Sequence, residues 1–185
     1  MLELGDNRIR TIENLEDLTS LKELFLGKNK ITKMTGMESL CQLELISLQA
    51  NRIVKIEGLT TLSSLEQLYL ADNGIENIEN LDESIALTTL ELANNRISSL
   101  SGLEKLVNVD DFWFNGNKVS TVLISKLQPK HKMQNSKTCR RRGQNLSAGI
   151  LYFNIARCIA NSMVTNSICQ VPHKLESHFT SQILN

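Results

Sequence analysis

Residues 24–45 read LFLGKNKITKMTGMESLCQLEL, and this arrangement of leucine, isoleucine and asparagine returns every 22 residues along the first two thirds of the chain. Apolar residues stand five and three residues before the asparagine of each unit and two residues after it. The asparagines, which we call the ladder asparagines, are Asn7, Asn29, Asn51, Asn73, Asn95 and Asn117. An interval kept this long identifies a repeat protein in which each unit is one coil stacked on the next.

Within one unit, two kinds of apolar spacing predict two kinds of local structure. Leu24 and Leu26 alternate with an outward residue, which predicts a short strand. After the asparagine, Ile31, Met34 and Met37 recur every three residues, the spacing of 3₁₀ turns and not of an α-helix. The unit resembles the short leucine-rich repeat. The sequence therefore predicts the α/β class: a leucine-rich-repeat solenoid of about six 22-residue repeats, with a parallel β-sheet on its concave face, 3₁₀ turns on its convex face and an irregular tail.

Two further columns carry structural predictions. The amide of each ladder asparagine can pair with backbone groups of adjacent coils that would otherwise be buried without partners. Seven residues after each of the first five ladder asparagines stands a glycine or an asparagine, the residues that most readily take a positive φ. These positions are Asn14, Gly36, Gly58, Asn80 and Gly102. One leucine column is interrupted by Ser84, and we expect a local shift that lets Ile85 fill the gap.

Charge and periodicity divide the chain near residue 122. Residues 1–122 hold 19 acidic and 11 basic side chains, a net charge of −8, whereas residues 123–185 hold 1 acidic and 9 basic side chains, a net charge of +8. We expect a solenoid over 1–122 and a basic tail over 123–185. The tail is expected to be largely disordered or to hold one amphipathic helix at about 146–164. The absence of a basic, apolar leader after Met1 and four widely spaced cysteines favour a cytosolic or nuclear protein with free thiols.

No arrangement of residues indicates catalysis, so we expect no enzyme activity, no cofactor, no metal, no small-molecule substrate and no membrane span. A zinc site made from Cys139, Cys158, Cys169 and His173 lacks the short spacings of structural zinc sites. The basic segment 130–142 has two readings, a nuclear-import or nucleic-acid patch and a solvated charged tail. Aromatic residues for base stacking are not interleaved in it.

The residues between the paired leucines are predicted to point into solvent, and three of them are large aromatics: Phe25, Tyr69 and Trp113. Aligned exposed aromatics with carboxylates between them indicate a protein interface, although scattered exposed apolar residues are common. Acidic residues outnumber Lys28 on this face, which favours a partner with basic patches over nucleic acid. The predicted partner-binding residues are Glu3, Phe25, Tyr69, Glu91, Asp111 and Trp113.

Several strings extend the resemblance beyond the generic repeat. LELGDNRIR (2–10), LFLGKNKIT (24–32), NRIVKIEGL (51–59), LYLADNGIE (68–76) and DFWFNGNKV (111–119) resemble the regulatory subunit 7 family of protein phosphatase 1, over about residues 1–120. The resemblance implies a nuclear, also cytoplasmic, non-catalytic regulator that binds the phosphatase catalytic subunit through its concave face. It implies contacts at Glu3, Phe25, Asp111 and Trp113, and at Glu91 where the family has aspartate. The family has further repeats before Met1 and a cap after the last repeat, so we expect a truncated form.

Two other functions fit the same sequence. One is a leucine-rich-repeat scaffold of the spliceosomal or axonemal type, which holds an RNA-binding protein or a motor subunit. The other is a nucleic-acid binder that acts through the basic tail, which would show salt-sensitive binding that survives deletion of the repeats.

Overall fold

Six short strands form one parallel sheet, and their order in the sheet is their order in the chain. The computed structural model describes residues 1–103, 105–106 and 108–119. The strands are β1 (Leu2–Glu3), β2 (Glu23–Phe25), β3 (Leu45–Ser47), β4 (Gln67–Tyr69), β5 (Thr89–Glu91) and β6 (Asp111–Trp113). Each residue pairs with the residue 22 positions further on, as Leu24 does with Ile46. The predicted leucine-rich-repeat solenoid is therefore confirmed.

The core lies behind the sheet and is built from the repeated apolar columns. Leu24, Ile46, Leu68 and Leu90 have no exposed surface. In the return segments, which lead from one strand to the next, apolar residues such as Met34 and Met37 are equally buried. Because every coil supplies the same apolar positions, the columns stack into one continuous core and each coil depends on its neighbours for burial.

The return segments are closed by turns, as predicted. In one coil the amide of Leu40 donates to the carbonyl of Met37, and the amide of Leu43 donates to the carbonyl of Leu40, both at 3.0 Å. These i→i+3 bonds have the 3₁₀ pattern but stand three residues apart, so they form successive single turns and not a continuous helix. In the described part of the chain, strands and turns account for the coils and no α-helix is present.

Backbone with positive φ recurs at two places in the coil. The predicted column of glycine and asparagine is confirmed, with φ between 59° and 95° at Asn14, Gly36, Gly58, Asn80 and Gly102. A second column immediately precedes the ladder asparagines, with φ between 53° and 72°. Its members are Asp6, Lys28, Ala50, Asp72, Asn94 and Gly116. Here the left-handed turn lets an amide reach the next coil, as Ala50 donates to the carbonyl of Ala71 at 2.9 Å. The varied side chains of this column explain why the sequence did not reveal it.

The expectation that Ile85 replaces the missing leucine at position 84 is wrong. Ser84 is buried and Ile85 is 62% exposed. The amide of Ser84 donates to the carbonyl of Leu81, and the amide of Leu87 donates to the carbonyl of Ser84. A shift by one residue would break both turn bonds, so the backbone register is kept and a small polar side chain occupies the core column.

We expect Gly58→Ala to destabilise the solenoid by at least about 2 kcal/mol, because a left-handed conformation alone costs a residue with a Cβ about 1–2 kcal/mol. In addition, a Cβ at Gly58 would lie 1.8 Å from the carbonyl oxygen of Met34, a backbone atom of the preceding coil. Gly27→Ala is the control, since a Cβ there would find its nearest neighbour, the carbonyl oxygen of Gln49, at 3.6 Å. Chemical denaturation should show a large loss for the first variant and little change for the second. Equal losses would contradict the assigned backbone geometry.

The predicted boundary at residues 122/123, the basic tail and the helix at about 146–164 all lie outside the described residues. They remain predictions.

Candidate protein-binding face

The strands present one row of side chains to the core and the other rows to the opposite side of the sheet, which we call the open face. In β2, fully buried Leu24 stands between Glu23 and Phe25, which are partly exposed. β4 and β6 show the same alternation, which follows from the pleat of the backbone. In β3 and β5 the small open-face residues Ser47 and Thr89 are buried as well. The open face consists of Met1, Glu3, Glu23, Phe25, Leu45, Ser47, Gln67, Tyr69, Thr89, Glu91, Asp111 and Trp113.

The structure brings the six predicted partner-binding residues onto this one face. Glu3 is exposed, and the other five are half-buried. Strand register places Glu3 beside Phe25 at one end of the sheet and Glu91 between Tyr69 and Trp113 at the other.

The neighbouring residue in β6 points the other way. Phe112 is 3% exposed and stacks on Phe114 with ring centroids 5.5 Å apart. Trp113 therefore occupies the open face while the residue before it belongs to the core.

A chain of hydrogen bonds crosses the middle of the open face. The hydroxyl of Ser47 donates to Oε1 of Gln49 at 3.0 Å, and Nε2 of Gln49 donates to Oε2 of Glu91. Gln49 follows β3 and Glu91 lies in β5, so the amide side chain reaches over the coil between them. This bond holds the carboxylate of Glu91 in one orientation beside Tyr69 and Trp113. Sequence reasoning missed it because Gln49 lies 42 residues from Glu91 in the chain.

The pKa of the Tyr69 phenol is affected by the negatively charged side chains near it. Burial raises the pKa of Tyr69 above its ordinary value of 10.0, and the charges of Glu91 and Asp111 raise it further. The hydroxyl also donates to Oε1 of Gln67 at 2.9 Å, which favours the protonated phenol. The three causes act in the same direction, so Tyr69 is neutral over the whole physiological range of pH.

We expect the protein to lose folding stability at alkaline pH because the pKa of Tyr69 is raised in the folded state. Because the pKa of Tyr69 is raised in the folded state, the contribution of the neutral phenol to folding stability is fully present below the ordinary pKa. This contribution is lost as the pH rises through the raised pKa. Glu91→Gln combined with Asp111→Asn should lower the pKa of Tyr69 only part of the way to its ordinary value, since burial is the main cause of the raised pKa. The pKa of Tyr69 is measured by ultraviolet titration of the phenolate band. Subtracting the titration curve of Tyr69→Phe removes the contribution of the other tyrosine, Tyr152. An unchanged pKa in the double variant would contradict the placement of the two carboxylates.

A shallow depression lies beside Phe25 on the open face. Small residues line it, among them Gly27, Ala50 and Ala71, together with the carboxylates of Glu3 and Glu91. Small side chains in three successive coils leave room above the backbone, so the depression can receive a side chain of a binding partner. The carboxylates favour a cationic one.

Among the described residues, no group of three or more histidine, cysteine, aspartate or glutamate side chains is placed to hold a metal ion. The zinc set considered from the sequence lies outside the described residues. Within that part of the chain, no helix is long and apolar enough to cross a membrane.

Comparison with known proteins supports the fold. Residues 1–39 match the sequence family described as Leucine Rich repeats (2 copies). None of the curated protein sequences matches this chain significantly.

Three similar solved structures come from Listeria monocytogenes. The internalin InlF is 23% identical with a TM-score of 0.60, the functional domain of InlJ is 20% identical with a TM-score of 0.56, and the internalin InlC2 is 26% identical with a TM-score of 0.50. The matches cover 65%, 64% and 65% of this chain, but only 36%, 25% and 63% of the respective structures. At these identities the similarity establishes the leucine-rich-repeat fold.

Proposed function

We propose that this chain is a non-catalytic regulatory subunit that binds the catalytic subunit of protein phosphatase 1 through the open face. The observation that carries the proposal is the alignment of Phe25, Tyr69 and Trp113 on that face, with carboxylates beside them. The choice of this partner rests on the resemblance of residues 1–120 to the regulatory subunit 7 family.

The spacing of the aromatics suits a folded protein as the partner. Phe25 in β2 and Trp113 in β6 are four strand spacings apart, about 19 Å at 4.8 Å per strand. A standard interface buries about 800 Å² on each partner, a patch of comparable width. Half-buried aromatics are already restrained by their neighbours, so less side-chain entropy is lost when they bind. Tyrosine and tryptophan are also the residues most enriched in interface hot spots.

The negative charge of the open face determines which surface of a partner is complementary to it. Glu3, Glu91 and Asp111 stand beside the three aromatics, and Gln49 holds Glu91 in place. A partner with basic side chains around an apolar patch would match this arrangement and would be steered to it. Nucleic acid carries the wrong charge for this face. We also propose a nuclear location, with a cytoplasmic fraction, because the resembling family is nuclear.

Affinity purification of the full-length chain tests the choice of partner. We expect the phosphatase catalytic subunit to co-purify with the native chain and to be lost from the variant Phe25→Ala combined with Tyr69→Ala. Val54→Ala is the matched control, because Val54 is 58% exposed but lies outside the open face. Recovery of an RNA-binding protein or a motor subunit in place of the phosphatase would favour the scaffold function and refute the phosphatase assignment.

A further inference from the structure

We propose that the basic segment 130–142 of this chain docks on its own open face and competes there with the external protein partner. The competition rests on the proposed function, whereas the docking does not depend on which partner binds.

The docking surface carries a net negative charge. Four carboxylates belong to the open face, and Asp6 and Asp72 stand in the turns that follow β1 and β4. Lys28, at the same position of the repeat as Asp6 and Asp72, is positively charged. The ion pairs found between described residues, Lys22–Glu44 and Lys105–Asp82, do not use these carboxylates. The four open-face carboxylates are Glu3, Glu23, Glu91 and Asp111.

The hydrogen bonds made by these carboxylates leave their charge in place. Glu3 accepts from the amide of Gly5, Asp72 accepts from the side chain of Asn94, and Glu91 accepts from Gln49. All three donors are neutral, so they orient the carboxylates without neutralising them. The surface is therefore pre-organised for cations.

The segment 130–142 has the complementary chemistry. It reads KHKMQNSKTCRRR, with six lysine and arginine residues and no acidic residue. Three consecutive arginines, Arg140 to Arg142, can form paired hydrogen bonds with carboxylates and can stack on aromatic rings. The open face offers both, because Trp113 stands beside Glu91 in the sheet and two residues from Asp111 in β6.

The connection is long enough for docking within one molecule. Lys130 lies 11 residues after Val119, the last described residue, which follows β6. Eleven residues span up to about 36–40 Å when extended, whereas the sheet from β1 to β6 is about 24 Å wide at 4.8 Å per strand. Because the segment and the open face belong to one chain, docking within the molecule does not depend on protein concentration.

Trp113 provides the test, because it is the single tryptophan of the chain and lies on the open face. Acrylamide quenching of its fluorescence would be measured in the full chain and in the variant R140Q/R141Q/R142Q. Raising salt from about 0.1 M to 1 M shortens the screening length from about 10 Å to about 3 Å. We expect quenching of the native chain to be weak at low salt and to rise with salt. The variant should be strongly quenched at low salt and insensitive to salt.

Two matched controls separate docking from general charge effects. K126Q/R157Q/K174Q removes the same number of cations from elsewhere in the tail and should behave as the native chain does. On the solenoid, E23Q/E91Q should abolish the salt response, whereas E76Q/E83Q, at exposed positions outside the open face, should preserve it. Equal quenching of the native chain and R140Q/R141Q/R142Q at low salt would overturn the docking. A response that grows with protein concentration would show docking between copies and would overturn the intramolecular assignment.

The competition is tested with the purified phosphatase catalytic subunit. R140Q/R141Q/R142Q should bind it more tightly than the native full chain, and the difference should vanish at high salt. Equal affinities, with docking established by fluorescence, would overturn the competition alone. Absence of binding to both chains would refute the proposed function and the competition, while the fluorescence result would still decide the docking.

Discussion

Trp113→Ala is expected to weaken binding of the phosphatase catalytic subunit by roughly 30- to 1,000-fold, the equivalent of about 2–4 kcal/mol for truncation of an interface tryptophan. The side chain lies on the open face, beside Glu91 in the neighbouring strand and on the same face as Asp111. Because it does not belong to the core, thermal unfolding of the free protein should change little. Calorimetric titration gives the affinity, and differential scanning calorimetry gives the melting temperature.

The control for this variant is its neighbour in the sequence. Phe112 is buried and stacks on Phe114, so Phe112→Ala removes a core side chain and should cost about 3–5 kcal/mol of stability. Any loss of binding by Phe112→Ala should follow the fraction of unfolded protein. If Trp113→Ala unfolds the protein and Phe112→Ala does not, the two sides of β6 have been assigned the wrong way round, and the list of partner-binding residues is refuted with them.

Asn51→Ala should be among the most destabilising polar substitutions in the solenoid. Nδ2 of Asn51 donates to the carbonyls of Leu26 and Leu48 at 3.0 Å, and Oδ1 accepts from the amide of Ile31 at 2.9 Å. The bonds to Leu26 and Ile31 join one coil to the preceding one. Removing the side chain leaves the amide of Ile31 without a partner, at about 1–3 kcal/mol, whereas the carbonyl of Leu26 still accepts from Nδ2 of Asn29. Chemical denaturation should therefore show a loss of about 2–4 kcal/mol, since losing the bond to Leu26 adds about 1 kcal/mol to the cost of the unpaired amide.

Asn7→Ala is the matched control, because Asn7 stands at the same position of the repeat. It is exposed and donates to the carbonyls of Leu4 and Gly5, both in its own coil. Water can replace those bonds, so the loss should be well below that of Asn51→Ala. Equal losses at the two sites would show that bonds between coils do not govern the stability of the stack.

Regular spacing made most of the fold predictable. The paired leucines of a unit, such as Leu24 and Leu26, fixed the position of the strand because a period of two has one buried side. Gly36 and Gly58 marked a left-handed turn, since few other residues tolerate that backbone. The same alternation predicted that Phe25, Tyr69 and Trp113 point to the open side of the sheet.

Features without a compositional signature could not be predicted. Ala50 has a φ of 53°, and nothing about alanine indicates that conformation. The bond from Gln49 to Glu91 joins two coils that are not consecutive and depends on side-chain reach. Ile85 failed as a substitute for the missing leucine because the turn bonds of Ser84 fix the register, and an apolar residue cannot shift into the core against two backbone bonds.

Site-specific photo-crosslinking tests most directly whether the open face is the binding surface. Benzoylphenylalanine would replace Tyr69 on the open face in one full-length chain and Val54, exposed elsewhere, in another. After irradiation with the purified phosphatase catalytic subunit, we expect a covalent adduct from position 69 and none from position 54. An adduct from position 54 without one from position 69 would contradict binding through the open face.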